Sequence, residues 1–199
     1  MKTVEIKIYK FGELSEDIQS KVLEKHHEIN VDYEWYECVY ETFKEDYKDS
    51  GFNIEKIYFS GFSNQGDGAM FEYSRIDESL LTEFVDSLEL TPMRKLWLKS
   101  QTIVSGRGKH SGHYYHEKSC NHSINWESNF SYSYAINFHN WIESFAAKFE
   151  DFVIEKYMNM CKELYKALEE SYDWLTSDEQ IKETILSNDY DFTGCGELY

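Results

Sequence analysis

Proline is almost missing from this chain, glycine is sparse, and no apolar run is long. One proline and 10 glycines in 199 residues exclude collagen-like stretches, proline-rich linkers and low-complexity tails. No stretch reaches the roughly 18 consecutive apolar residues of a transmembrane helix. The opening residues, MKTVEIKIYKFGEL, alternate and carry charge throughout, so they read as a strand rather than a signal peptide. Cys38, Cys120, Cys161 and Cys195 lie far apart with no C-x-x-C pair. That spacing argues against a disulfide framework and for reduced thiols in a cytoplasmic protein. Basic residues are the other shortage. Twenty Lys and Arg stand against 37 Asp and Glu, a net charge of −17. Such a field repels nucleic acid and bare anionic membrane and attracts basic protein surfaces.

Aromatic residues, in contrast, are abundant, with 16 Tyr, 13 Phe and 5 Trp, too many for a disordered acidic chain. One domain over residues 1–199 with a substantial core is expected. The charge is uneven. Up to Ser100 there are 21 acids and 12 bases, and from Glu143 onward 14 acids and 5 bases. Between them, Glu117 and Glu127 face Arg107, Lys109 and Lys118 in a near-neutral middle that holds five of the seven histidines.

Periodicity organises the rest. Thr3 to Tyr9 alternates as a strand, with Val4, Ile6 and Ile8 on one side. Ser15 is an N-cap candidate ahead of Glu16 and Asp17. A second amphipathic helix is expected from about Asp32 to Lys48, closed by Gly51 as a left-handed cap. Glu78 to Leu88 reads as a short helix, and Thr91-Pro92 opens another through Trp97. Gln101 to Val104 reads as a strand, and Ser105 to Gly108 as turn punctuation. His113 to Glu117 and Ser123 to Glu127 read as further strands. Phe138, Trp141, Phe145, Phe149, Phe152, Val153, Tyr157, Cys161, Leu164, Leu168 and Leu175 keep a helical period. A helix from Asn137 to Trp174 would run to about 57 Å, so a kink or a protruding end is expected. Thr176 to Gln180 can form a capping box for a last helix ending near Ser187, and Tyr190 to Phe192 an edge strand. The sum is an α+β fold, a mostly antiparallel sheet with helices packed on one face, the long C-terminal helix above all.

Ile57 to Tyr73, IYFSGFSNQGDGAMFEY, is the most informative segment. Two aromatic-rich runs flank Ser63 to Gly68, and an Asp between two glycines suits a tight reversal, so Ile57–Phe62 and Ala69–Tyr73 are expected to pair across it with Gly66 or Gly68 at positive φ. The string closely resembles the signature G-F-x-x-Q-G-D-G-A-x-F of a family of small bacteriophage and prophage proteins, some of which carry an antitoxin-like label. The likeness extends to the GHYYHEKS segment and to the Leu175–Phe192 ending. It implies a genetic home in the bacterial host cytoplasm and a fold, but no reaction and no catalytic residue.

The chemistry is weighed residue by residue. Gln65 and Asp67 belong either to a functional loop or to a turn in which Asp67 bonds its own backbone and Gln65 pins a neighbouring loop. His110, His113, His116 and His122 lie near Cys120 and Glu117, but on strands or helices their spacings do not converge on one ion, so no metal and no cofactor are expected. No nucleophile elbow or phosphate loop occurs. The aromatic run through Trp126, Phe130, Tyr132, Tyr134, Phe138 and Trp141 has no basic residue beside it from Glu127 to Asn140, which favours core packing over base stacking.

A binder is therefore favoured over an enzyme. The expected partner is a host protein with a basic surface, with no direct nucleic acid and no membrane, and a homodimer is left open. The expected action is inhibition of a nucleic-acid-acting or defence complex, CRISPR effectors included, by nucleic-acid mimicry. An antitoxin-like regulator and a small hydrolase using the QGDG loop are the alternatives. Candidate contact residues are Glu34, Glu37, Glu41 and Glu45, taken as one helix face, with Gln65 and Asp67. Glu163, Glu169, Glu170 and Asp173 on the long helix form a second acidic candidate, and Tyr33, Trp35 and Tyr36 read as exposed aromatics of the second helix.

Overall fold

The structure, a computed structural model, describes residues 5–128 and 136–199, with side chains from residue 142 onward in the second stretch. The expectations for Thr3, Val4, Phe130, Tyr132, Tyr134 and the side chains of Phe138 and Trp141 lie outside the described residues. In chain order the elements are β1 (Ile8–Lys10), a 3-10 turn (Phe11–Glu13), α1 (Glu16–Lys25), α2 (Glu37–Asp46), β2 (Phe52–Ser60), β3 (Gly68–Ile76), α3 (Glu78–Ser87) and α4 (Pro92–Gln101). There follow β4 (Thr102–His110), β5 (Cys120–Ser128), α5 (Ile136–Leu175), α6 (Asp178–Ser187) and β6 (Asp191–Thr193). All described strand pairs are antiparallel, and the fold is α+β. Contacts divide the chain into two compact units, Met1–Val39 with Leu168–Tyr199, and Tyr40–Ala167.

The first unit closes around Phe11, Leu14, Val22, Ile181, Ile185 and Phe192, all buried. β1 pairs with β6 through Tyr9↔Phe192, which seats Phe192 edge-on to Phe11 at 6.3 Å. Asn30 ties the unit internally: its amide donates to the Leu175 carbonyl at 2.9 Å and its oxygen accepts from the Thr184 hydroxyl at 2.7 Å. A buried amide with donor and acceptor both satisfied holds its geometry, because leaving either unmet costs about 1–3 kcal/mol. Ser177 caps α6 by accepting from the Gln180 N–H.

The second unit is built on a four-stranded sheet in the order β2-β3-β4-β5. One face carries Phe52, Phe71 and Tyr73, whose rings meet each other and Tyr157 of α5 at 4.6–6.4 Å. Phe84 of α3, Trp126 of β5 and Phe149 of α5 form a second ring cluster on that side. α5 supplies a stripe of buried positions, Ile142, Phe145, Phe149, Val153, Tyr157, Cys161 and Leu164, spaced so that each lies one helical turn from the next. Each large apolar side chain buried in this way contributes about 1.5–3 kcal/mol.

Several boundaries differ from the sequence reading. β1 starts at Ile8, and Ile6 and Ile8 are exposed, because β6 offers only three residues to pair with. α2 begins at Glu37, not Asp32, since Tyr33 to Tyr36 form a turn closed by the Trp35 N–H on the Tyr33 carbonyl at 2.7 Å. Ser105 to Gly108 is not a turn but the middle of β4. The reason is packing: a Cβ on Gly108 would lie 2.2 Å from Cε1 of Tyr73, so glycine is what lets Tyr73 lie flat across the neighbouring strand. His113 to Glu117 is loop, not strand, while α4 continues to Gln101. Ser15 and Thr91 occupy their N-cap positions without a side-chain capping bond. α5 is continuous from Ile136 to Leu175, and Gly51 has the expected positive φ of 92°.

Candidate functional site

The β2–β3 hairpin pairs as its sequence pattern requires, with Ile57↔Phe71, Phe59↔Ala69 and Ser60↔Gly68 in register and Gly66 at φ 99°. Asp67 is the turn's organiser. Its Oδ2 accepts the backbone N–H of Ser63 at 2.9 Å and of Asn64 at 2.7 Å, so one carboxylate oxygen holds the loop closed. Both glycines serve a close approach. A Cβ on Gly66 would meet the Tyr114 ring at 3.2 Å, and one on Gly68 would lie 2.6 Å from the His116 Cβ and 2.9 Å from its Cα. The segment between β4 and β5 is therefore laid directly against the QGDG turn. Gln65, in contrast to its expected pinning role, is exposed and makes no hydrogen bond among the described residues.

That segment is stapled by rings. Tyr115 stacks on Tyr58 at 5.1 Å with planes 7° apart, and His110 packs against Tyr115 at 4.8 Å. His110 Nε2 donates to the Tyr114 carbonyl at 3.3 Å. Beside it, Lys109 Nζ reaches Glu55 at 2.8 Å and Glu72 at 3.4 Å, while the other oxygen of Glu72 accepts the His110 N–H at 3.0 Å. The Lys109 ammonium, with help from the Ser74 hydroxyl, holds the Glu55 carboxyl below the usual carboxylate range.

The histidines do not converge. His116 Nδ1 accepts the Lys118 N–H at 3.1 Å, His113 packs edge-on to Tyr114, and His122 Nδ1 pairs with the Tyr73 hydroxyl at 2.9 Å. Among the described residues no group of three or more His, Cys, Asp or Glu is placed to hold a metal ion. His122, half-buried, instead joins the buried Tyr73, Cys120, Tyr157 and Cys161. Burial pushes the Cys120 thiol up to about 11 and the Cys161 thiol up to about 12, which favours the protonated form over the thiolate. Burial also pushes His122 down, which keeps it neutral. Tyr157 donates its hydroxyl proton to the Phe71 carbonyl at 2.9 Å. These groups lock the sheet to α5; sequence alone left Tyr73 and Tyr157 as anonymous core residues.

The acidic candidates are exposed. Glu37, Glu41 and Glu45 occupy successive turns of α2, so they share one face, whereas Glu34 precedes the helix. Glu45 is bridged by Lys48. On α5, Glu163 accepts the Tyr47 hydroxyl, and that bond pushes the Tyr47 phenol up to about 12. Glu169, Glu170 and Asp173 are exposed. Of the aromatics expected on the surface, Tyr33 is 66% exposed, but Trp35 is half-buried against Tyr36 and Tyr172 at 6.0 and 5.8 Å.

A family profile described as Domain of unknown function (DUF8835) matches residues 35–178. The chain belongs to that family. The matched span takes in α2, the QGDG hairpin, the loop that covers it and nearly all of α5. No curated protein and no solved structure matches the chain. Among the described residues no helix is long and apolar enough to cross a membrane.

Proposed function

We propose that the protein is an acidic binding module that inhibits a basic, nucleic-acid-acting protein by occupying its phosphate-binding surface. The observation that carries this reading is the row of exposed carboxylates Glu37, Glu41 and Glu45 along α2 in a chain of net charge −17. Like charges one turn apart weaken their own helix by a few tenths of a kcal/mol per pair, and a basic partner offsets that cost. The resemblance of the QGDG segment to a signature of phage and prophage proteins favours a bacterial host complex, a defence complex such as a CRISPR effector included, as the partner class. An antitoxin-like regulator would use the same charged surface. What weighs against the hydrolase reading is that Asp67 already accepts two backbone N–H groups and burial favours the protonated form of the Cys120 and Cys161 thiols.

The test is capture from bacterial lysate on the immobilised protein, followed by titration of the captured protein with wild type and with Glu37→Lys/Glu41→Lys/Glu45→Lys. Wild-type binding should weaken at least about tenfold from low to high salt and be competed by a nucleic-acid oligonucleotide. The triple variant should lose binding and keep or raise its melting temperature. Equal, salt-insensitive binding by both proteins rejects mimicry by this surface.

A further inference from the structure

The corner between α3 and α4 encloses a cavity of about 310 Å³ lined by Asp86, Leu90, Pro92, Lys95, Leu96 and Lys99. Four of these come from one face of α4, since Pro92, Lys95, Leu96 and Lys99 recur at i, i+3, i+4 and i+7. The residue this helix buries is Leu98, so the lining face is a separate one. Lys95 Nζ donates to the Asp86 carbonyl at 2.6 Å, and Lys99 Nζ donates to both Asp86 carboxylate oxygens at 2.8 Å. Asp86 thus offsets the charge of Lys99 and gives Lys95 only a neutral acceptor. Of three donors on each ammonium, those bonds leave Lys95 two and Lys99 one. The cavity therefore sets two positive charges against one negative in a chain of net charge −17. Exposed Glu89 and Arg94 stand beside the lining and offset each other. The remaining walls are apolar. Leu90 is half-buried, Leu96 is 66% exposed, and Met93, one turn before Leu96, is 76% exposed.

We propose that this cavity binds a small monocarboxylate with an apolar body, of the size of a medium-chain fatty acid. Its head rests on Lys95 and Lys99, and its tail runs along Leu90, Pro92 and Leu96. Size, charge and lining select that class together. A volume of about 310 Å³ stands at the low end of small-molecule sites, which run from about 300 to 1,000 Å³. A single surplus positive charge matches one carboxylate, whereas a phosphate dianion would leave a negative charge beside Asp86. A carboxylate on an ammonium makes charge-assisted hydrogen bonds, about twice as strong as neutral ones. An apolar tail displaces water from the two leucines, which favours burial, and a wholly polar anion has no such gain. The site uses none of the α2 carboxylates, so it stands or falls independently of the binding-module reading.

The experiment is titration of octanoate into the isotope-labelled chain, read by amide chemical shifts, with octanol, acetate and inorganic phosphate as parallel probes. Octanoate should bind saturably, with a dissociation constant at or below about 1 mM, and shift the amides of residues 86 to 99. Octanol lacks the charge and acetate lacks the tail, so each should bind at least about tenfold more weakly. Lys95→Gln keeps a donor for the Asp86 carbonyl but removes the charge, and should weaken octanoate binding at least about tenfold. Lys95→Arg should restore most of it. Leu96→Asp puts a carboxylate at the mouth and should abolish binding with an unchanged melting temperature, because Leu96 is exposed. If Lys95→Gln melts lower than wild type, Leu96→Asp decides. Absence of a saturable octanoate shift overturns the inference. So does octanoate binding that Leu96→Asp leaves intact, equal binding of octanol, or tighter binding of phosphate at the same amides.

Discussion

Two hairpins make up the sheet of the second unit, and they are built on opposite economies of glycine. In β2–β3 the glycine with positive φ, Gly66, sits in the reversal, a short turn organised by Asp67, and the strands behind it slip register twice. In β4–β5 the glycines Gly106 and Gly108 sit inside the strand, the register is unbroken over nine pairs, and the connection is a long, aromatic-rich loop. The first hairpin uses glycine for backbone conformation at Gly66 and for room under the covering loop at both Gly66 and Gly68, whereas the second uses it inside a strand for room alone. Tyr73 lies in the space left by Gly108, and the tips of the two hairpins meet where Tyr114 and His116 cover Gly66 and Gly68. A glycine motif therefore has two readings that only its neighbours distinguish.

The contrast should break most severely at Gly108. Gly108→Val places branched carbons where Tyr73 lies, and overpacking between central strands should destabilise the protein by about 3 kcal/mol or more, read as a large fall in melting temperature. Tyr157→Phe removes the hydroxyl bonded to the Phe71 carbonyl inside the same face. The expected loss is about 1–3 kcal/mol, and denaturant titration at unchanged m-value would confirm that only packing of the sheet on α5 is affected. Asp67→Ala acts on the other hairpin: loss of its two turn bonds should cost about 1 kcal/mol, and Asp67→Asn, which keeps an acceptor, should restore most of it.

Protonation sharpens the comparison further. His122 of β5 takes up a proton near 6.5 in the unfolded chain, but partial burial lowers that value in the folded protein. Below about pH 6.5 the unfolded state therefore binds more protons, and stability falls as the pH drops toward the depressed folded value. His26 in the first unit is also pushed down by burial and acts in the same direction. Melting temperatures from pH 7.5 to 5 should fall in wild type and fall less steeply in His122→Gln. The smallest effect belongs to Lys109, half-exposed between Glu55 and Glu72. Lys109→Gln should leave the melting temperature unchanged within error in moderate salt, since exposed ion pairs contribute little.

Much of this fold was legible residue by residue. The i, i+3, i+4 spacing from Phe145 to Leu168 marks α5 because no tertiary partner is needed to read a helical period. The reversal at Gly66-Asp67-Gly68 follows from local dihedral demands. The errors fell where a distant contact outweighs a local signal. Ser105 to Gly108 looks like turn punctuation until Tyr73, a residue of another strand, occupies the space. Asp32 to Tyr36 continues the amphipathic pattern of α2, yet Trp35 turns to pack on Tyr172 instead. Among the candidate contacts, the shared face of Glu37, Glu41 and Glu45 was readable from spacing, but the exposure of Gln65 and the engagement of Glu163 by Tyr47 were not, because both depend on what another segment brings alongside.

By itself the sequence determined the α+β class, the helical and strand periods, the tight Asp67 turn and the acidic character of the chain, since all of these follow from local geometry or from charge. Only the tertiary structure decided that the QGDG turn is covered by Tyr114 and His116, that the histidines serve separate partners, and that β5 stands as a regular, weakly charged outer strand. Those are properties of segments distant in sequence and adjacent in space, and packing between such segments is not written in any single window of residues.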